Sequence, residues 1–280
     1  GGRLRTAALP SGRTGGVVSG LSGDGTVAAG IFQGSGGGRV YRRRADGGYD
    51  DAGITPLYDR ATNGKVSRDG RVVAGESTRQ PGGIEEAQVF RWTPEGGHQP
   101  LPFLPGAGTA RLGGLSADGR VIVGSSGVRP FIWRDGQGTS ALPTPQFAEG
   151  AATGLSRDGR WAVGVIGNTA VRWEAGQSTW TTLPTLAGWG STGAEHVSDD
   201  GRTVVGWVSN GGFSRNLFIW REGVGAQLFS DYLRGAGIEV PTNLALGSIT
   251  GMSADGRTFA GTCGNAATNE VLGYVVTIPA

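Results

Sequence analysis

Few side chains in this 280-residue chain are equipped for chemistry. There are two histidines, His98 and His196, one cysteine, Cys263, and one lysine, Lys65. Glu195 adjoins His196, and a Glu–His–Lys set can bind an acidic group or move a proton. A glutamate beside a histidine makes a structural hydrogen-bonded pair equally well. Two histidines and one cysteine cannot build a Cys/His metal centre of the usual kinds. Glu85-Glu86, Glu149, Glu195 and Glu270 could supply a paired-carboxylate site, but nothing in their spacing selects a pair. No Gly-x-Ser-x-Gly elbow, phosphate loop or His-Glu-x-x-His is present. The expectation is no cofactor, no metal and no assigned catalytic residue. Cys263 reads as a small buried residue of an apolar strand.

Aromatic residues outside any repeated position offer a different chemistry. Trp189, Phe147, Phe213 and Tyr232 fall in connections, where they stack on sugar rings, anchor a protein partner or pack a rim. Arg79 and Glu85 lie in the long stretch 76–88, and Arg215 in 208–216. The candidate ligand- or partner-binding set is therefore Trp189, Glu195, His196, Lys65, Arg79, Glu85, Arg215 and Tyr232. Lys65 and His196 stand two residues before a recurrent serine, where the other copies have Gly20, Gly114, Gly154 and Gly251.

That serine belongs to a phrase found six times, each copy ending in Asp-Gly. The aspartates are Asp24, Asp69, Asp118, Asp158, Asp200 and Asp255. Such spacing, with several short strands per step, is the signature of propeller blades. Six residues after each aspartate comes a glycine: Gly30, Gly75, Gly124, Gly164, Gly206 and Gly261. Apolar runs such as Val72-Val-Ala74 lie between them. A third element ends in tryptophan at Trp92, Trp133, Trp173 and Trp220, with Arg43 and Val276 at the corresponding place in the first and last copies. A fourth carries Leu-Pro at 101–102, 142–143 and 183–184. Each element is strand-like and bounded by turn residues. The Asp-Gly pairs cap tight hairpins rather than hold calcium. The second element is apolar on both faces, as an inner strand covered by neighbouring blades requires. The proline-bearing fourth suits an edge. The four repeated tryptophans read as blade core.

The predicted fold is all-β, a single six-bladed β-propeller of four-stranded antiparallel blades. Its ring is closed by the N-terminal strand, Leu4–Pro10, completing the last blade beside 274–279 and leaving no open edge. The blades are expected at 17–60, 61–108, 109–148, 149–190, 191–230 and 247–280 with 3–10. An insert occupies 231–246, with one or two helical turns stopped by Gly235 and Gly237. Variable loops 76–88, 208–216 and 262–271 and this insert fall on one face.

Composition narrows the classes. Hydrophobic content of 37% supports one large domain, and 55 glycines serve turns. Net charge is +2 with arginines and acids interspersed, which is no nucleic-acid surface. The run Arg42-Arg-Arg44 reads as a solvated or Asp-paired edge, and His98 as a solvated turn residue. No stretch of 18 apolar residues could span a membrane.

The pattern Gly-Leu-Ser-Ala-Asp-Gly-Arg-Val-Ile-Val-Gly from Gly114, then Phe-Ile-Trp-Arg-Asp-Gly from Phe131, then Leu142-Pro143, resembles the extracellular HAF repeat of bacterial proteins. It is more distantly similar to the Ser-Pro-Asp-Gly repeats of TolB-type propellers. The resemblance covers almost the whole chain and implies an exported protein, extracellular, periplasmic or cell-surface, any signal peptide lying outside this sequence. It supplies no catalytic residues. The reading that follows is a non-catalytic binding or assembly module contacting a protein or surface polysaccharide through the long loops. The alternatives are a carbohydrate-active hydrolase or lyase, and a structural subunit of a larger complex. The oligomeric state is not legible.

Overall fold

The computed structural model describes residues 9–211 and 215–279. The fold is all-β, six antiparallel sheets forming the blades of a six-bladed β-propeller. The first sheet holds β1 (Arg13–Leu21), β2 (Ala28–Gly34), β3 (Arg39–Arg43) and β4 (Tyr49–Gly53). The second holds β5 (Arg60–Val66), β6 (Val73–Arg79), β7 (Glu86–Thr93) and β8 (Gly97–Pro100). The third holds β9 (Ala110–Leu115), β10 (Val121–Ser126), β11 (Arg129–Arg134) and β12 (Gly138–Ala141). The fourth holds β13 (Gly150–Leu155), β14 (Trp161–Ile166), β15 (Thr169–Glu174) and β16 (Trp180–Thr182). The fifth holds β17 (Ser191–Val197), β18 (Thr203–Ser209), β19 (Arg215–Arg221) and β20 (Gly225–Leu228), followed by the helix α1 (Phe229–Gly235). In the sixth, β21 (Leu244–Met252), β22 (Thr258–Asn265) and β23 (Glu270–Thr277) are described. Strands pair in chain order in every sheet. The expected closing strand, Leu4–Pro10, lies outside the described residues apart from Leu9 and Pro10.

The described chain gathers into two compact units, residues up to 127 with 132–140, and 128–131 with 141 onward. Each has its own apolar core. In the first, Ala29, Val40, Val73 and Phe90 are fully buried, with Trp92 beside them. In the second, Val163, Leu183, Val204 and Phe218 form one cluster, and Ile219, Phe229 and Phe259 another. The second strands of the first five sheets are buried on both faces, as at Val73 and Ala74, Ile122 and Val123, Ala162 and Val163, whereas β22 alternates between buried and half-buried residues.

The Ser-x-Asp-Gly phrase makes one turn six times. In the second sheet the Ser67 hydroxyl donates to Asp69 (2.5 Å), which accepts the Arg71 amide (2.9 Å). The Val72 amide donates to the serine oxygen (2.9 Å). Gly70 closes the turn at φ 74°, a conformation costly for any residue with a Cβ. Backbone bonds then tie turn to turn: Gly23 N–H to the Arg68 carbonyl and Arg68 N–H to that of Ala117 in the first unit, each 2.7 Å. In the second unit Asp199 N–H reaches Ala254 (2.8 Å), and the Asp199 carboxylate accepts the Arg157 amide (2.7 Å).

These turns predict an acid limb. Hydrogen bonds from the Ser22 hydroxyl and from the Thr26 amide and hydroxyl hold Asp24 down to about 2, from 3.8. Asp255 is lowered likewise by Ser253 and the Arg257 amide. A depressed folded pKa means that the stabilisation is present above the unfolded value and is lost as pH falls through the folded one. Denaturation midpoints should therefore hold steady down to about pH 4 and fall between about 4 and 2. Asp24→Asn should flatten that fall; an unchanged slope would refute the assignment.

Leu-Pro sits just beyond each edge strand rather than within it. The leucine makes the last bond, Leu101 N–H to Val89, Leu142 to Pro130 and Leu183 to Ala170 (2.9, 3.0 and 2.9 Å), and its side chain is buried. The proline, lacking an N–H, then ends the pairing. The repeated tryptophans are buried as expected at Trp92, Trp173 and Trp220, while Trp133 is half-buried. Trp173 is core, fully buried. Trp92, Trp133 and Trp220 lie beneath an arginine from the preceding sheet: Arg42 over Trp92 (5.3 Å), Arg91 over Trp133 (5.9 Å) and Arg172 over Trp220 (5.0 Å). Each arginine also donates to the carbonyl of the next sheet's turn glycine, Gly70, Gly119 or Gly201. The run Arg42–Arg44 is Asp-paired, Arg42 and Arg44 both meeting Asp50 (2.9 and 2.5 Å).

Candidate functional site

In the first unit β6, the start of β7, β9 and the connections from β4 to β5 and from β6 to β7 carry one polar cluster. Its centre is Glu76, a carboxylate with 7% of its side chain exposed. Burying a charge is costly unless donors surround it. Glu76 accepts from the Leu112 amide (2.8 Å), the Thr62 hydroxyl (2.8 Å) and Arg111 (3.0 Å). Arg111 also holds Glu85 (3.0 Å). Alongside, Arg79 pairs with Glu86 (2.6 Å) and stacks on Tyr58 (5.0 Å).

Tyr58 ends a tight turn, its amide bonded to the Thr55 carbonyl (3.1 Å). The residue before it is Leu57, at φ 73° and 84% exposed. The matching turn in the same unit, Ala107 N–H to Leu104, places Gly106 there at φ 81°. In the second unit one such turn has Gly188 and another Phe147, at φ 63° and 93% exposed. A bulky side chain in this conformation costs about 1–2 kcal/mol. Ile84, 73% exposed, follows the short 3-10 turn Pro81–Gly83.

Lys65 also belongs to the first unit, on β5 opposite Ala74. It is half-buried, and burial pushes its ammonium pKa down. Glu195 and His196 belong to the second unit. The His196 ring nitrogen Nε2 bonds to the Ile249 carbonyl (3.0 Å), joining β17 to β21. Glu195 is the extra residue of a bulge in β17. Burial raises its carboxyl pKa, and the charge of Arg215 opposes the rise. The Arg215 guanidinium lies over the Trp207 ring (4.1 Å). A cavity of about 440 Å³ opens beside it, lined by β19, α1 and the segment leading into β21.

The remaining expected contacts divide. Trp189 packs half-buried on the second unit's core. Tyr232 packs on the core around Phe229, with Arg221 over its ring (5.5 Å). Phe213 lies outside the described residues. His98 is not solvated: its Nδ1 bonds to the Ala52 carbonyl (2.9 Å), its Nε2 to Thr55 (3.2 Å), and its ring rests on Phe90. Cys263 is buried and free. Glu76, Arg111, Tyr58, Leu57 and Trp207 were not singled out from the sequence. The residue after the invariant-phase glycine is the signal that finds two of them, since Glu76 and Trp207 stand where other copies have Ile31, Ser125, Val165 and Thr262.

Among the described residues no three His, Cys, Asp or Glu side chains gather to hold a metal ion, and no helix is long and apolar enough to cross a membrane. No family model and no curated protein matches the chain. Solved structures do. A putative TolB from Agrobacterium tumefaciens is 16% identical with TM-score 0.53, covering 95% of this chain and 92% of its own. An oligogalacturonate lyase in complex with manganese is 12% identical with TM-score 0.60, covering 95% and 76%. A prolyl endopeptidase is 13% identical with TM-score 0.61; it covers 94% of this chain, which spans only 41% of its length. These likenesses show the propeller fold, which unrelated activities share.

Proposed function

We propose that the chain is a non-catalytic binding module of an exported protein, taking a protein partner on the connections after β4 and β6. The supporting observation is Leu57. A strained, exposed leucine stands where a sister turn uses glycine, beside exposed Ile84 and a stiffened Tyr58–Arg79–Glu86 group. Rigid aromatic and arginine anchors flanked by apolar groups are what interface centres use. The nearby carboxylates are already bound: Glu76, Glu85 and Glu86 each hold an arginine. A hydrolase or lyase needs two carboxylates placed about a bond. Its one foothold is Glu195, whose pKa burial raises. The exported location and the kinship with HAF repeats belong to the same proposal.

Leu57→Gly separates function from fold. It removes the strain and should raise stability by about 0.5–1 kcal/mol, measured by chemical denaturation. It should also abolish partner capture. A photo-crosslinking residue at position 84, in cells of the source organism, should give discrete protein adducts that Leu57→Gly removes. The same probe at Ala45, on the β3–β4 turn, should give none. Adducts unaffected by Leu57→Gly, or equal yields from position 45, would overturn the reading.

A further inference from the structure

We propose that the cavity between α1, β19 and β21 binds a small organic carboxylate, gripped by Arg215 and Arg234 above an aliphatic floor. This stands independently of the partner surface in the first unit. The cavity, about 440 Å³, is of the size that takes small molecules. Arg215 and Arg234 line it, together with the polar side chains of Asn216, Ser230 and Thr242, and no carboxylate does. The floor is apolar, drawn from Leu217, Leu228, Val240, Leu244 and Leu246. A ligand that satisfies both parts has an anionic head and a compact, partly apolar body.

The two guanidiniums are differently prepared. Arg234 is held by Asp231 (2.5 Å) on the exposed side of α1. Arg215 has no hydrogen bond or ion pair from its side chain among the described residues. Its contact is the face of Trp207, the guanidinium carbon 4.1 Å from the ring centroid, and among the described residues its N–H donors are unspent. Planar guanidinium forks match carboxylates two bonds at a time. Trp207 is thus a positioning residue. The neighbouring acid is Glu195, whose carboxyl pKa is raised by burial and lowered by the charge of Arg215.

The test is calorimetric titration of the full chain with benzoate, glucuronate, inorganic phosphate, benzyl alcohol and glucose. The expected result is saturable binding of both carboxylates and none of the neutral alcohol or sugar. Arg215→Gln and Arg234→Gln should each weaken benzoate about tenfold, the equivalent of about 1.4 kcal/mol. Trp207→Leu should weaken it several-fold with circular dichroism unchanged. If a glutamine variant fails to fold, the corresponding lysine variant keeps the charge and loses the fork, and an intermediate weakening is expected. The proposal falls if neither carboxylate saturates, if the neutral compounds bind as well, if phosphate alone binds, or if the arginine variants bind benzoate like the parent chain.

Discussion

Gly206→Ala is expected to lower the unfolding free energy by about 3 kcal/mol or more, or to prevent folding. The reason is local. A Cβ at position 206 would overlap the Gly193 carbonyl oxygen and lie 2.9 Å from the Ala194 Cα. Both are backbone atoms of β17, at the edge of the bulge formed by Glu195. Neither can swing aside as a side chain would, so the strand pair itself must open. The same overlap recurs at Gly164 with the Ala151 carbonyl and at Gly261 with that of Ser248. Gly235, in α1, supplies the contrast. Nothing lies within 4 Å of an added Cβ there. Gly235→Ala should be neutral or stabilising by up to about 1 kcal/mol. Urea midpoints of the two variants, measured side by side, decide the matter. A Gly206→Ala protein as stable as the parent would show that the bulge is not held by this approach.

The second large effect concerns Arg172. Only 7% of its side chain is exposed, yet it carries a full charge. It lies between Trp161 (4.5 Å) and Trp220 (5.0 Å), donates to the Gly201 carbonyl and reaches Glu222 (3.1 Å). Arg172→Ala removes two ring contacts, leaves a turn carbonyl without its donor and empties a buried volume. A loss of about 3 kcal/mol follows. Arg172→Met keeps most of the volume and should recover about half, because the third and fifth sheets place Ile132 and Ile219 at the corresponding position. Equal losses from the two variants would mean that charge alone matters. No loss from either would remove the arginine from any structural role.

The strand pattern was legible because its causes are local. Asp-Gly closes a turn with its own atoms, and a doubly buried strand must be apolar on both sides. The arginine–tryptophan contacts were not legible, since they join residues 42 to 50 positions apart whose meeting depends on how one sheet lies on the next. The candidate sites divide the same way. Glu195 and Arg215 stood out by departing from the repeat and by loop length. Arg111 did not, because it occupies an ordinary strand position and acquires its role only from Glu76 and Glu85 on a neighbouring sheet. Leu57 looks unexceptional as a letter, and Phe147 stood out only as an aromatic in a connection. Their peculiarity is a backbone angle, visible only once the turn has been superposed on its glycine-bearing sisters.

The arginines reach in one direction only. Arg42, Arg91 and Arg172 each extend to the sheet that follows in sequence, onto both its turn and its tryptophan. During synthesis on the ribosome, such a module therefore emerges before the lintel its guanidinium will hold. Maturation trails translation by one module wherever such an arginine occurs: a chain stalled after the first, second or fourth sheet carries a cation whose partners on the next sheet have not yet been made.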